Sequence, residues 1–150
     1  MAQSLARILI HIVFSTKERR PLIGDDTMPR LHGYLAKVCQ SCGCDAYQVG
    51  GTADHVHMLV SLSRTIAVAD LVRVVKRDSS HWMKSQCEGT VPFAWQNGYG
   101  AFSLGHSQKQ AVVEYIVNQA DHHAERSFQD EFRALLRRYQ VDYDERYVWD

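Results

Sequence analysis

The run Asp54-His55-Val56-His57-Met58-Leu59-Val60 constrains the fold of this chain most. It reads as a β-strand, in which successive side chains point to opposite faces. His55 and His57 therefore share one face, while Val56, Met58 and Val60 share the other. Two imidazoles at i and i+2, roughly 6–7 Å apart along a strand, can hold one divalent metal between them. The apolar face can pack against helices. A His-x-His strand can equally be a pair of packed, hydrogen-bonded histidines.

The rest of the chain builds a sheet around this strand. Leu5 to Thr16 alternates and is rich in β-formers, with Ile8, Ile10, Ile12 and Phe14 against Leu9, His11 and Val13, and predicts a first strand. Lys17-Glu18-Arg19-Arg20-Pro21 ends it in a basic turn. Thr27 is placed to cap a helix with Pro29 in its first turn and a stripe of Met28, Leu31, Leu35, Val38, Cys39 and Cys42. Gly43 stops that helix. Asp45 to Gly50 forms a second strand, Gly50-Gly51-Thr52 a turn, and Asp54 to Leu62 the third strand. A second helix runs from about Ile66 to Gln86, with Val68, Leu71, Val72, Val75, Trp82 and Met83 on one side and Arg73, Arg77, Ser80 and Lys84 almost opposite.

Tyr99 to Leu104, introduced by Trp95-Gln96-Asn97-Gly98, predicts strand four. Helices follow over about Gln108 to His122 and from Ser127, a plausible N-cap with Asp130 at N3, to Tyr139. Tyr147-Val148-Trp149 reads as a final short strand or tail. The order β-α-β-β-α-β followed by helices is that of an α+β protein, a ferredoxin-like split β-α-β with an antiparallel sheet and extra C-terminal helices. No repeat or interdomain linker interrupts residues 1–150, which predicts a single domain.

The helix at 108–122 carries the second chemical signal. Its apolar stripe is Val113, Ile116, Val117 and Ala120. At about 100° per residue, Tyr115, Gln119 and His122 fall on a different, polar face. Tyr115 and Gln119 are i, i+4 neighbours there. A phenol is a poor nucleophile at its ordinary pKa, but a metal or a nearby base favours its attack. The Gln119 carbonyl can serve as a third ligand beside the two imidazoles. Such a set leaves open positions and suits Mg²⁺ or Mn²⁺ bridging phosphate oxygens. The same helix face could instead present Tyr115 to a partner protein.

Composition narrows the classes. The longest apolar run is far shorter than the roughly 20 residues of a membrane span. The N-terminus opens into an alternating strand without a signal-peptide core, so the expectation is a cytoplasmic protein with no membrane association. Cys39, Cys42 and Cys44 have the spacing C-x-x-C-x-C but lack a fourth ligand at a usual distance, and Cys39 and Cys42 continue an apolar stripe; buried reduced thiols are the better reading. Net charge is zero. It is unevenly spread: residues 1–110 carry 12 Lys/Arg against 8 Asp/Glu, and residues 111–150 carry 5 against 9.

At these residues the chain resembles the single-tyrosine HUH transposases of compact insertion sequences, including the REP-associated tyrosine transposases. The resemblance lies in five ordered blocks. They are His11-Ile12-Val13-Phe14-Ser15-Thr16-Lys17 with Arg19-Arg20, the strand Asp54 to Val60, Trp95 to Ser103, Tyr115-Ile116-Val117-Asn118-Gln119 followed by His122-His123, and Phe128 to Leu136. It implies that Tyr115 attacks a DNA phosphodiester to give a 5′-phosphotyrosine and a free 3′-OH, so that strands are cut and rejoined without a nucleotide cofactor. It also implies His55, His57 and Gln119 as metal ligands, single-stranded DNA with hairpin ends as substrate, and a nucleoid-associated, bacterial or archaeal setting. A homodimer is implied as well, with Tyr115 acting in trans on the partner's histidines.

Stacking and local backbone contacts bind single strands without a large net positive charge. Lys17, Arg19, Arg20, Arg73, Lys76 and Arg77 are the candidate DNA-binding residues. Where the family often has a Gly after the lysine of the second helix, this chain has Asp78. The alternative functions are a domesticated, non-mobilising hairpin-binding nickase, a non-catalytic nucleic-acid-binding module, and a metal-dependent hydrolase using water.

Overall fold

In the computed structural model, residues 2–86 and 92–150 are described, the side chains of residues 122–124 excepted. Four strands form one sheet: β1 (Leu9–Ser15), β2 (Asp45–Thr52), β3 (His55–Ser61) and β4 (Gly100–Leu104). Their order is β2-β3-β1-β4, and every neighbouring pair is antiparallel. The helices are α1 (Met28–Ser41), α2 (Val68–Gln86), α3 (Lys109–Val117), α4 (Gln119–Glu125) and α5 (Phe128–Arg138).

The alternation of β1 and β3 divides the protein into two layers of core. Ile10, Ile12 and Phe14 of β1 join Val56, Met58 and Val60 of β3 beneath α1 and α2, whose Leu31, Leu35, Val38, Leu71, Val72, Val75 and Met83 complete that cluster. On the other face, Val13 and Phe102 pack against Phe128, Phe132, Leu135 and Leu136 of α5. All seven residues of β1 are buried. A strand covered on both faces loses the half-exposed signature that its alternation suggests.

Several boundaries differ from the sequence reading. β1 begins at Leu9, where both of its ladders begin opposite Ser61 and Leu104. β2 does not stop at the glycines: it continues through Gly50 and Gly51 to Thr52, so the hairpin turns at Ala53-Asp54. α2 starts at Val68. Thr27 flanks α1 with helical dihedrals and makes no side-chain cap. Residues 147–149 form a turn rather than a strand. Ser127 behaves as expected, its Oγ accepting the Asp130 N–H at 3.1 Å.

The largest departure is at the third predicted helix, which breaks at Asn118 into α3 and α4. The stripe rotates accordingly. Val117 is 59% exposed and Ala120 is also exposed, whereas Ile116 and Gln119 are buried. Gly50 explains how α3 comes so close to the sheet: a Cβ there would lie 2.6 Å from the Ile116 carbonyl oxygen and 2.8 Å from its Cγ2. Gly100 does the same for α5, since its Cβ would meet Phe132 at 2.6 Å.

The cysteine reading is compatible with the packing. Cys39 and Cys44 are buried and Cys42 half-buried, all as thiols, and burial pushes the Cys39 thiol up to about 12. Cys87 lies outside the described residues.

Candidate metal and nucleophile site

Three histidines occupy the sheet face that α3 and α5 cover. His55 and His57 alternate on β3, and His11 comes from β1, one residue pair away diagonally, since Val13 pairs with His57 and His11 with Leu59. All three are buried. The break at Asn118 and the packing of α5 bring two more polar side chains to the same place, Gln119 and Glu131, both buried.

The ligating atoms converge. Gln119 Oε1 lies 3.0 Å from His55 Nε2. Glu131 Oε1 lies 2.8 Å from His57 Nε2, and its Oε2 lies 3.9 Å from His55 Nε2. One donor atom each from His55, His57 and Glu131 falls within 4.8 Å of the others. Tyr115 donates its hydroxyl to Glu131 Oε1 at 2.5 Å. Its ring stands edge-on to His57, with centroids 5.6 Å apart.

The far ring nitrogens are held from behind. His55 Nδ1 bonds Asp54 Oδ1 at 2.7 Å, and Thr52 Oγ1 donates to the same carboxylate at 3.0 Å. His57 Nδ1 bonds His11 Nε2 at 2.8 Å, with the two rings stacked 5.0 Å apart. Asp54, which precedes β3, thus orients His55 from outside the cluster, as outer carboxylates do for metal-bound histidines.

Electrostatics suit a cation. Burial holds His57 below its ordinary value and, with the neighbouring His57, brings His11 down to about 3. Both imidazoles are therefore neutral near pH 7 and carry lone pairs. Burial alone would push the Glu131 carboxyl up, but His57, the Tyr115 hydroxyl and His55 outweigh it and bring it down to about 2. Burial first, and the Glu131 carboxylate second, hold the Tyr115 phenol well above its usual range. His57 Nε2 and Glu131 Oε2 are buried without a hydrogen bond. A neutral imidazole nitrogen 2.8 Å from a carboxylate oxygen, beside a second carboxylate oxygen with no hydrogen bond of its own, is expensive unless a proton or a cation lies among them. The donor set fits a divalent metal.

The sequence-predicted site residues divide into two groups. His55, His57, Gln119 and Tyr115 come together. The basic candidates do not join them. Arg73, Lys76 and Arg77 lie on α2, across the sheet, along a groove of about 480 Å³ that Ser80, Asn97 and Tyr99 also line. Lys76 Nζ donates to the carbonyls of Gln96, Asn97 and Gly98 at 2.8, 3.1 and 2.6 Å, and burial lowers it to about 8. Arg77 pairs with Asp78 at 3.0 Å, and Arg73 with Asp70 at 3.6 Å. Lys17, Arg19 and Arg20 sit in and beside the tight turn after β1, with Arg20 paired to Glu18 at 2.8 Å and Arg19 over the Trp149 ring at 5.6 Å. The side chain of His122 lies outside the described residues.

Glu131 and His11 were not recognised from sequence as parts of the site. Glu131 had a signal: Phe128, Glu131, Phe132, Leu135 and Leu136 are the buried stripe of α5, and a carboxylate inside such a stripe needs a partner. His11 shares the inward face of β1 with Leu9 and Val13, where an imidazole also needs a partner.

A buried pair of imidazoles and a carboxylate beside a phenol makes a candidate metal centre next to a candidate nucleophile, the arrangement that the resemblance to the HUH single-tyrosine transposases implies. Comparison with known proteins leads to the same class. Residues 4–119 match the family model described as transposase, IS200-like. The transposases for insertion sequence element IS200 of Salmonella typhimurium and Salmonella typhi are each 26% identical over 117 residues, 74% of this chain and 76% of theirs. Two solved structures share the fold. One is a Deinococcus radiodurans protein described as a transposase (TM-score 0.62, 20% identity, 79% of this chain and 98% of that one). The other is a REP-associated tyrosine transposase bound to a REP hairpin (TM-score 0.59, 14% identity, 82% and 74%). The chain belongs to the IS200-like transposase family, and its activity is that of a metal-dependent transposase acting on single-stranded DNA.

Proposed function

We propose that Tyr115 is the nucleophile of this transposase and that His55, His57, Gln119 and Glu131 supply its metal donors. The observation that carries this reading is the Tyr115 hydroxyl bonded to Glu131, a carboxylate that is itself within reach of both histidines. Glu131 Oε1 takes the phenol proton as Tyr115 Oη attacks phosphorus. The bond from phosphorus to the 3′ oxygen breaks, and that oxygen leaves as a 3′-OH, taking up one proton for the one Tyr115 has lost. The DNA is left joined to Tyr115 through its 5′ phosphate. A later 3′-OH reverses the step and rejoins the strand. A divalent cation, Mg²⁺ or Mn²⁺, would supply positive charge to the phosphate oxygens.

The chain acts in this reading as one domain over 1–150, with the ferredoxin-like split β-α-β arrangement, on single strands bearing hairpins and as a homodimer. The groove with Arg73 and Arg77, and the turn with Lys17, Arg19 and Arg20, are the backbone-contacting surfaces. Within one chain Tyr115 already stands against His57 and Glu131, which supports attack in cis; exchange of α3 between protomers would give the trans arrangement. No helix among the described residues is long and apolar enough to cross a membrane.

The test is an adduct assay with purified protein, a hairpin-bearing single strand and Mn²⁺. A covalent protein–DNA band that requires metal and disappears in Tyr115→Phe supports the reading. Metal-dependent cleavage that leaves no adduct and survives Tyr115→Phe would replace it with hydrolysis by water.

A further inference from the structure

Beside the nucleophile, α3 and α5 leave a cleft of about 280 Å³ whose lining includes Tyr115 and Glu131. Part of its wall is apolar and aromatic: Val112 from α3, Leu135 from α5, and Tyr139 just beyond α5. Tyr139 is fixed by stacking on Phe102, with centroids 4.8 Å apart and planes 23° apart. Arg126 and Arg138 also line it, with His11 and Gln108, and the Arg138 guanidinium lies 5.9 Å from the Tyr139 ring centroid. Both are exposed, and neither has a carboxylate within 4.0 Å among the described residues. Arg133, on the same helix, is by contrast neutralised by Asp130 and Glu145. An aliphatic and aromatic wall with two cations uncommitted to carboxylates matches the chemistry of a nucleotide, whose base has π-faces and whose phosphate is an anion.

Resting on the reading of Tyr115 as nucleophile, we propose that this cleft is a protein subsite for the nucleotide flanking the attacked phosphate. Its base lies against Val112, Leu135 and Tyr139, and its phosphate lies between Arg126 and Arg138. The subsite gives the protein its own preference at the cut, separate from recognition of a hairpin. It also orients the strand so that phosphorus approaches the phenol held by Glu131. Seating the base by stacking tolerates any base to a degree, while the fixed wall of Tyr139 and Val112 favours those that fill it.

The test is single-turnover adduct formation by the full chain with Mn²⁺, using strands that carry an abasic residue at each position near the cut. One flanking abasic position slows adduct formation about tenfold or more, the scale of a lost base stack. Val112→Trp fills the cleft, slows the intact strand comparably and removes the sensitivity to that abasic position. Arg138→Gln, an exposed change compatible with folding, slows adduct formation and weakens its dependence on salt. Wild-type rates in Arg138→Gln together with no abasic position that matters would overturn the subsite, as would full abasic sensitivity in a folded Val112→Trp. A wild-type protein that forms no adduct on any strand overturns the nucleophile reading, and the subsite with it.

Discussion

His11 Nε2 lies 2.8 Å from His57 Nδ1, and both residues are buried. For His57 to present a lone pair at Nε2, its proton must be on Nδ1. His11 must then accept that proton through Nε2 and keep its own on Nδ1. A histidine from the first strand thereby sets the tautomer of a histidine on the third.

Replacing His11 by Phe keeps a ring in the space but removes the acceptor. The expected result is a loss of about 10- to 100-fold in Mn²⁺ affinity, the usual effect of losing such an outer partner. Titration calorimetry with Mn²⁺ measures it. Unchanged affinity would remove His11 from the site.

Glu131→Gln keeps the shape of the carboxylate and removes its charge and basicity. Adduct formation should fall by about 10²- to 10⁴-fold, the range for loss of a general base. Rapid-quench measurement of the covalent product decides it. A rate near wild type would leave Glu131 a structural residue.

Acid should destabilise the metal-free protein. The folded-state pKa values of His11 and His57 are lowered, His11 to about 3. Below the unfolded value near 6.5 the unfolded chain binds protons that the folded one refuses. Stability is thus fully present above about pH 6.5 and falls as pH drops through it, by about 1.4 kcal/mol per pH unit for each such group. The Glu131 carboxyl, lowered to about 2, adds a further loss below its unfolded value of 4.5. Urea denaturation in EDTA between pH 7.5 and 5 should show a steady decline; a flat profile would contradict neutral buried imidazoles.

Gly50→Ala should destabilise by about 1–3 kcal/mol, the cost of overpacking, because the new Cβ meets the Ile116 backbone oxygen rather than a yielding side chain. Since Ile116 adjoins Tyr115, adduct formation should fall as well. Urea unfolding and the adduct rate together check both effects.

The fold was legible wherever periodicity was strong. The stripe Leu31, Leu35, Val38 and Cys39 and the stripe Leu71, Val72, Val75 and Met83 are the buried faces of α1 and α2, as their spacing requires. His55 and His57 do share a face, because alternation in a strand is geometrically enforced. The break at Asn118 was not legible, since no proline or glycine marks it and it depends on how closely Gly50 lets α3 approach β2. That approach buries Gln119 beside Ile116 and leaves Val117 exposed, rotating the buried face from the one read for a continuous helix. Glu131 enters the site only through tertiary packing of α5, seventy-four residues beyond His57 in the chain. Lys76, read as a DNA contact, is engaged with three backbone carbonyls that its helical position alone does not reveal.

In the proposed reaction the Tyr115 oxygen becomes bonded to DNA. The most direct measurement is mass spectrometry of the protease- and nuclease-digested adduct formed with Mn²⁺. A nucleotide phosphate is expected on the peptide carrying Tyr115, and on no other tyrosine. A nucleotide attached to Tyr99, Tyr139 or any other residue, with the Tyr115 peptide unmodified, would contradict it.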